Sequence, residues 1–286
     1  MVKTRETKET RETRETVNGE FDMIKLAITG IGGKMGNTIL GIALKDMDFE
    51  VVGVTEAKGH PLIGKGIAPG VDEEKSPIIV SDDLSHLVDV CDVVVDFTQP
   101  EPSLEHFRIV ESAKKAIVIG TTGFPGSTID EINNAKDVRV VISPNMSVGM
   151  NLMFDVVERI ARILKNDYDI EIVEMHHKWK KDAPSGTAMR IKDVIQKALP
   201  EKNWIEVFGR KGITGERKNE EIGIMTLRGG DVVGEHTAIF AGIGERLEVT
   251  HRAYSRENFA RGALIAAKWI ANQPYGIYSM KDVLGL

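Results

Sequence analysis

A chain of 286 residues with 42% hydrophobic residues is long and apolar enough for two domains, each with its own core. The formal net charge of −6 disfavours binding of nucleic acid through bulk positive charge, and a single cysteine, Cys91, excludes an internal disulfide. No apolar run reaches the roughly 18 residues of a membrane span and the N terminus lacks a secretory leader, so we predict a soluble, cytoplasmic protein without a membrane partner.

The first 22 residues differ in composition from the rest of the chain. Residues 4–15 repeat a Thr-Arg/Lys-Glu triplet that contains no apolar residue. A period of three matches neither a helix face nor a strand face, so we expect residues 1–22 to form a charged, disordered tail. An interaction arm is the alternative. The first predicted strand begins directly after Met23, and we therefore expect Met23 to be a candidate start site.

Short apolar runs alternate with helical segments from residue 24 onward. Near-continuous apolar strands separated by amphipathic helices are typical of a parallel sheet that is covered on both faces. We therefore predict an α/β fold with an N-terminal Rossmann-like dinucleotide-binding domain. The strands are predicted at residues 24–28, 51–54, 93–95, 116–119 and 138–142.

A glycine-rich turn follows the first of these strands. Its sequence is Gly30-Ile31-Gly32-Gly33-Lys34-Met35-Gly36, and a helix is predicted over residues 35–44. Glycines let backbone N–H groups approach a pyrophosphate, and a helix N terminus adds partial positive charge. Glu56 ends the second strand, twenty residues beyond the turn, at the spacing of a carboxylate that binds ribose. Strand, turn, helix, strand and acid together predict a dinucleotide site.

Two further loops follow later strands of the predicted sheet. They are Gly120-Thr121-Thr122-Gly123 and Ser143-Pro144-Asn145-Met146, and Asp96-Phe97-Thr98 is a weaker candidate of the same kind. Ligands bind at the carboxyl ends of strands in open α/β sheets, although simple chain reversal is the alternative for each loop. Lys34 and Lys58 either face a 2′-phosphate or are ordinary surface lysines.

The densest chemical signal lies after a strand predicted over residues 169–175. It reads His176-His177-Lys178-Trp179-Lys180-Lys181-Asp182-Ala183-Pro184-Ser185-Gly186-Thr187 and opens a helix predicted over residues 188–199. Cations beside hydroxyls and helix-start amides would hold a carboxylate, whereas a solvated basic loop is the alternative. The lone cysteine and the adjacent histidines lack the spacing of a zinc site, so we predict no metal. The other five histidines, His60 and His236 among them, are scattered, and we assign them no role.

A second sheet is predicted in the C-terminal half. Its strands are expected at residues 222–227, 232–240 and 246–252, and we expect a mixed, mainly antiparallel α+β domain that also mediates self-association. A closing helix over residues 256–272 begins after Ser255 as N-cap and is expected to return to the first domain. The predicted domains are therefore residues 23–147 with 256–286 for the dinucleotide and 148–255 for substrate and oligomerisation.

These motifs, taken together, resemble the 4-hydroxy-tetrahydrodipicolinate (dihydrodipicolinate) reductase family. The resemblance runs from Met23 to Leu286, and the His-His and Ala-Pro-Ser-Gly-Thr segment is its most specific part. Many members carry Arg where Lys34 stands and Arg directly after the ribose acid, where this chain has Ala57. The matching segments are residues 30–36, 120–123, 145–149, 174–188 and 230–237.

The resemblance implies reduction of a cyclic imine dicarboxylate to tetrahydrodipicolinate in the diaminopimelate and lysine pathway, by a homotetramer that is assembled through the substrate-domain sheet. It implies that His176 donates and accepts a proton, that Lys180 donates one, and that His177, Gly186 and Thr187 bind substrate, with Ser185 beside them. Contacts to NADH or NADPH are expected from residues 30–35, Glu56, residues 120–122 and residues 143–146.

Two rival functions remain. Another two-domain dehydrogenase of the aspartate-semialdehyde type would need a nucleophilic cysteine. Cys91 lies early in the apolar run of residues 90–95 that contains the third predicted strand, away from the carboxyl end of that strand. A dinucleotide-sensing regulatory protein would have no reason to keep residues 176–187.

Overall fold

The computed structural model describes residues 23–67, 77–165 and 167–286, so the predicted tail of residues 1–22 lies outside the described residues. The chain divides into two compact units. The first comprises the chain up to Ile142 with Ala263–Tyr278, and the second comprises Ser143–Gly262 with Ser279–Leu286. The predicted bounds assign all of residues 256–286 to the first domain, whereas the structure groups residues 256–262 and 279–286 with the second unit.

The helices and strands follow in chain order. They are β1 (Ile24–Thr29), α1 (Lys34–Ala43), β2 (Phe49–Thr55), β3 (Gly66–Ile67), β4 (Ile78–Ser81), α2 (Ser85–Val88), β5 (Val93–Asp96), α3 (Pro100–Ser112), β6 (Ala116–Ile119), α4 (Gly126–Asn133), β7 (Arg139–Ile142), α5 (Val148–Leu164), β8 (Asp169–His176), α6 (Gly186–Ala198), β9 (Ile205–Val207), β10 (Glu221–Arg228), β11 (Gly234–Ala241), β12 (Arg246–Ala253), α7 (Glu257–Ile270), β13 (Gly276–Tyr278) and α8 (Met280–Leu284).

The first unit contains an eight-stranded sheet in the order β13-β7-β6-β5-β1-β2-β4-β3. Every neighbouring pair is parallel except β3 with β4. All five predicted strands are confirmed, as β1, β2, β5, β6 and β7. Each residue of β5 and of β6 is buried, which explains their unbroken apolar sequences. The prediction missed β3, β4 and β13, which have only two to four residues each and show no clear pattern.

The second unit contains a five-stranded sheet in the order β12-β11-β8-β10-β9. Strand β11 pairs antiparallel with β12 and β8, whereas β10 pairs parallel with β8 and β9. The mixed sheet is confirmed, but half of its pairings are parallel, because α6 lies between β8 and β10 and returns the chain in the same direction. Apolar residues of one sheet face pack with those of α5 and α6 into a single core. Within the described residues, no helix is long and apolar enough to cross a membrane.

Candidate functional site

The turn between β1 and α1 requires its glycines. Gly30 has a φ of +65°, and a Cβ on Gly36 would lie 2.3 Å from the carbonyl oxygen of Gly30. Gly33 caps the start of α1 without a side-chain hydrogen bond. Among the described residues, the N–H groups of Lys34, Met35 and Gly36 at the start of α1 have no acceptor, which is the property that a phosphate-binding turn needs.

Glu56 lies against this turn. Its Oε2 accepts a hydrogen bond of 2.6 Å from the N–H of Gly32, and its Oε1 accepts one of 2.8 Å from the N–H of Ala57. The predicted acid and the predicted turn are thus brought together, and the turn already holds one anionic group. The side chains of Lys34 and Lys58 are exposed.

A buried carboxylate joins the ends of three parallel strands. Asp96, at the end of β5, accepts hydrogen bonds of 2.9 Å from the hydroxyls of Thr29, Thr98 and Thr121, and it also bonds His106. Burial opposes ionisation, but the bonds from His106 and Thr98 outweigh it and leave the pKa of Asp96 below its ordinary value. The Thr121 hydroxyl is thereby engaged within the protein.

The rest of the 120–123 loop remains accessible. A Cβ on Gly120 would lie 2.2 Å from the ring of Phe97, so any larger residue would have to displace that ring. Thr122 is exposed. The loop can therefore offer its backbone and the Thr122 side chain to a ligand, while Thr121 fixes its position.

The predicted cofactor loop of residues 143–146 belongs to the second unit. Ser143 donates from its hydroxyl to the carbonyl of Asn145 over 2.9 Å, and Asn145 Oδ1 accepts from the N–H of Ser147 over 2.9 Å. Asn145 Nδ2 lies 3.4 Å from the hydroxyl of Thr187 at the start of α6. Met146 is buried and Pro144 is exposed. The loop is thus tied to a segment predicted to bind substrate.

His176 ends β8 and forms a close pair with Glu174. The Nδ1 of His176 lies 2.6 Å from Glu174 Oε2. Glu174 is fully buried and also accepts from the Ser185 N–H (3.0 Å), the Thr226 hydroxyl (3.1 Å) and both terminal nitrogens of Arg228 (2.8 and 3.0 Å). A strand alternates its side chains, so two residues of spacing place Glu174 and His176 on the same buried face.

The pKa values of Glu174 and His176 both lie below their ordinary values, but for different reasons. Burial would raise the pKa of Glu174, but hydrogen bonds from Arg228 and His176 overcome it and hold that pKa below its ordinary value. Burial lowers the pKa of His176 by more than the Glu174 carboxylate raises it, and the charge of Lys180 lowers it further. At neutral pH the Nδ1–H of a mostly neutral His176 therefore donates to Glu174, and Nε2 holds the lone pair.

A second buried histidine packs on His176. The ring of His236 meets that of His176 edge-on, at 5.2 Å between centroids, and burial lowers its pKa to about 3. His236 Nε2 lies 2.9 Å from the Ser185 hydroxyl, which also accepts from the N–H of Ala188 and so caps α6. Ser185, predicted to lie at the substrate, therefore has its hydroxyl and its N–H engaged inside the protein.

The start of α6 keeps two donors. In the part of the chain that the structure describes, the N–H groups of Gly186 and Thr187 have no acceptor. Lys180 lies in the loop that follows β8, where its Nζ is 2.9 Å from Asp182 Oδ1 and its N–H donates to the carbonyl of His177. The buried Nδ1 of His177 finds no partner among the described residues. The predicted catalytic and substrate residues thus belong to one unit and surround the end of β8.

Sequence reasoning missed Glu174, Arg228 and His236. The period of two along β8 is a signal for Glu174, whereas Arg228 and His236 are found only from the register of β10 and β11 with β8. No group of three or more His, Cys, Asp or Glu within the described residues is arranged to hold a metal ion.

Two family models match the chain. The model for the N terminus of dihydrodipicolinate reductase matches residues 24–146, and that for its C terminus matches residues 149–284. A 4-hydroxy-tetrahydrodipicolinate reductase of Syntrophus aciditrophicus is 47% identical over 92% of this chain and 99% of its own length. One from Geotalea uraniireducens is also 47% identical, over 92% of this chain and 100% of its own.

A solved structure shares the fold. A dipicolinate-bound dihydrodipicolinate reductase from Paenisporosarcina sp. TG-14 superimposes with a TM-score of 0.73 and covers 91% of this chain and 99% of its own. Its sequence is 24% identical. The likeness supports the Rossmann-like unit and the second mixed sheet.

Proposed function

The chain belongs to the dihydrodipicolinate reductase family and is a nicotinamide-dependent reductase of the diaminopimelate and lysine pathway, and we propose the following roles for its residues in reducing 4-hydroxy-tetrahydrodipicolinate. The observation that supports the roles is the pairing of His176 with a buried, ionised Glu174 beside the two unpaired N–H groups that begin α6. We further propose that the enzyme acts in the cytoplasm.

The first unit is suited to a dinucleotide. The turn of residues 30–35 would receive the pyrophosphate, Glu56 the adenosine ribose and residues 120–122 the neighbouring part of the cofactor. Residues 143–146, which are also predicted to contact the cofactor, are proposed as further contacts. The fit rests on the open N–H groups at the start of α1 and on the carboxylate that the turn already holds. When bound, the nicotinamide supplies the hydride.

His176 delivers the proton that the reduction requires. Reduction of a conjugated imine leaves electron density on the substrate, and a proton must quench it. Protonated His176 donates from Nε2, while Glu174 holds Nδ1 and stabilises the imidazolium. Its lowered pKa makes the imidazolium a stronger acid than a free one. Lys180, positioned by Asp182, is the second donor.

The substrate carries two carboxylates, and each needs hydrogen-bond donors that are not already bonded within the protein. The N–H groups of Gly186 and Thr187 at the start of α6 would hold one of them, and His177 and Lys180 would face the other. Ser185 and His236 would keep the start of α6 in place.

The reaction itself is tested with the full chain coupled to an enzymatic source of the dihydrodipicolinate precursor, with the absorbance of NADH and of NADPH followed separately. Substrate-dependent oxidation of the cofactor is expected. Binding of cofactor without turnover would instead favour a sensing protein.

We expect both cofactors to be used. Glu56 favours the ribose hydroxyls of NADH, and the exposed Lys34 and Lys58 offset its repulsion of a 2′-phosphate. Replacing both lysines with alanine should raise the KM for NADPH about 3- to 30-fold, the effect of losing two exposed ion pairs, and leave that for NADH unchanged. Lys45→Ala, a change of the same kind at an exposed lysine after α1, is the control. An unchanged KM for NADPH would remove both lysines from the phosphate site.

We propose that the outer face of the second sheet forms the tetramer. By alternation, Val173, Met175 and Ile239 lie on the face opposite α5 and α6, and each is half-buried. Ile239→Asp should convert tetramers into smaller species in sedimentation velocity, because a charge would be buried at the interface. Ile163→Asp, at an exposed isoleucine of α5, is the matched control. A tetramer that survives Ile239→Asp would place the interface elsewhere.

A further inference from the structure

An acid and a histidine both lie against the exposed Gly32 of the glycine turn. A Cβ on Gly32 would lie 2.9 Å from Glu56 Oε2, and it would lie 2.8 Å from Cε1 and 3.0 Å from Nε2 of His60, so the two side chains crowd the same side of this glycine. Glu56 Oε2 and His60 Nε2 are therefore at most about 6 Å apart, although they do not form an ion pair. A ligand hydroxyl that lies about 3 Å from each of these atoms can bond both.

The protein fixes the orientation and the tautomer of His60. Its backbone N–H donates to the carbonyl of Ala57 over 2.9 Å, and its Nδ1 accepts from the N–H of Leu62 over 3.3 Å. Because Nδ1 faces a backbone donor, the neutral ring carries its proton on Nε2. Within the residues that the structure describes, Nε2 has no hydrogen-bond partner. It is a donor on the same side of Gly32 as the Glu56 carboxylate.

We propose that His60 is a further cofactor-binding residue, which pairs with Glu56 to hold the 2′-position of the adenosine ribose. The inference rests on the proposed placement of the ribose at Glu56. A ribose 2′-hydroxyl both donates and accepts, so it donates to the Glu56 carboxylate and accepts from His60 Nε2–H. The residue directly after Glu56 is Ala57, whose side chain has no hydrogen-bond donor. His60, four residues after Glu56, supplies the donor instead.

The test measures binding rather than turnover. Dissociation constants are measured for NADH, for NADPH and for an NADH analogue that lacks the 2′-hydroxyl of the adenosine ribose, from the fluorescence of the bound reduced cofactor. The proteins compared are the full chain and its variants His60→Leu, His60→Gln and Glu56→Ala. His86→Leu, at an exposed histidine of the same unit, is the control. Thermal unfolding is recorded for each variant, since His60→Leu also removes the acceptor of the Leu62 N–H.

His60→Leu should weaken NADH about 3- to 10-fold, as expected for one hydrogen bond, and leave the 2′-deoxy cofactor unchanged. NADPH, whose 2′-phosphate also accepts from Nε2–H, should weaken at least as much as NADH. His60→Gln retains an amide N–H and should recover part of the loss. Equal weakening of NADH and its 2′-deoxy form by His60→Leu would show a purely structural role for His60. If Glu56→Ala weakened NADH and its 2′-deoxy form equally, the ribose would lie elsewhere. That outcome would leave the proposed reductase activity untouched, because the activity is tested separately by oxidation of the cofactor.

Discussion

Replacement of His176 with glutamine is expected to lower kcat by about 10²- to 10⁴-fold, the range for losing a general acid. Glutamine fills a similar volume and can still bond Glu174, but it cannot deliver a proton. Affinity for NADH should change little, because the turn of residues 30–35 and Glu56 belong to the other unit. Steady-state kinetics and cofactor fluorescence measure the two quantities. A kcat near that of the unmodified enzyme would end the assignment of His176 as the proton donor.

Lys180 provides the companion experiment. Lys180→Ala should also lower kcat, and the double variant should lose less than the product of the two single effects, since the groups act on one substrate. Lys181→Ala, one residue further and exposed, should leave kcat unchanged. The alternative, a solvated basic loop, instead produces a small rise in KM that added salt reproduces by screening. Measurements at two ionic strengths decide between these outcomes.

The first unit was largely predictable because its signals are local. Continuous apolar runs specify buried parallel strands, and β5 and β6 are buried at every position. The glycine turn and Glu56 meet because strand, turn, helix and strand are consecutive elements of fixed geometry, and the Gly32 to Glu56 hydrogen bond follows from that spacing. Short edge strands such as β3 lack enough residues to show a period.

The candidate site in the second unit depends on distant residues. Arg228 lies opposite His176 only because β10 pairs with β8 in one register, and His236 arrives from β11 on the other side. A shift of one residue in either pairing would turn those side chains to the opposite face. Residue types in one sequence do not specify register, so the sequence identified His176 and Lys180 but not the groups that surround Glu174.

Glu174→Gln is expected to be the most informative change to the protein, because it removes a charge from the buried network and keeps its shape. Without the carboxylate the pKa of His176 falls further, and the imidazolium loses its stabilising partner. We expect kcat to fall about 10²- to 10⁴-fold, by analogy with the loss of the buried carboxylate that orients a catalytic histidine. When kcat is plotted against pH, the fall in kcat that accompanies loss of the His176 proton should move to lower pH.

The same change should reduce stability in a pH-dependent way. Arg228 loses its bidentate partner, and breaking such a buried pair costs about 3 kcal/mol of unfolding free energy. The folded-state pKa of Glu174 lies below its unfolded value, so its contribution is complete above about pH 5 and is lost as the pH falls through the folded pKa. As the pH falls through the range in which folded Glu174 gains its proton, the difference in unfolding free energy between the two proteins should therefore shrink. A difference that does not shrink in that range would contradict an ionised Glu174.

Two further variants separate stability from catalysis. Glu171→Gln breaks ion pairs with Arg210 and Arg217 on the opposite face of β8 and should leave kcat unchanged. Adding Arg228→Met to Glu174→Gln removes the unpaired cation and should recover much of the lost stability, because apolar replacement of a buried pair is often neutral. It should not recover kcat, since His176 would still lack a carboxylate at Nδ1. Recovery of both in the double variant would show that Glu174 serves the fold alone.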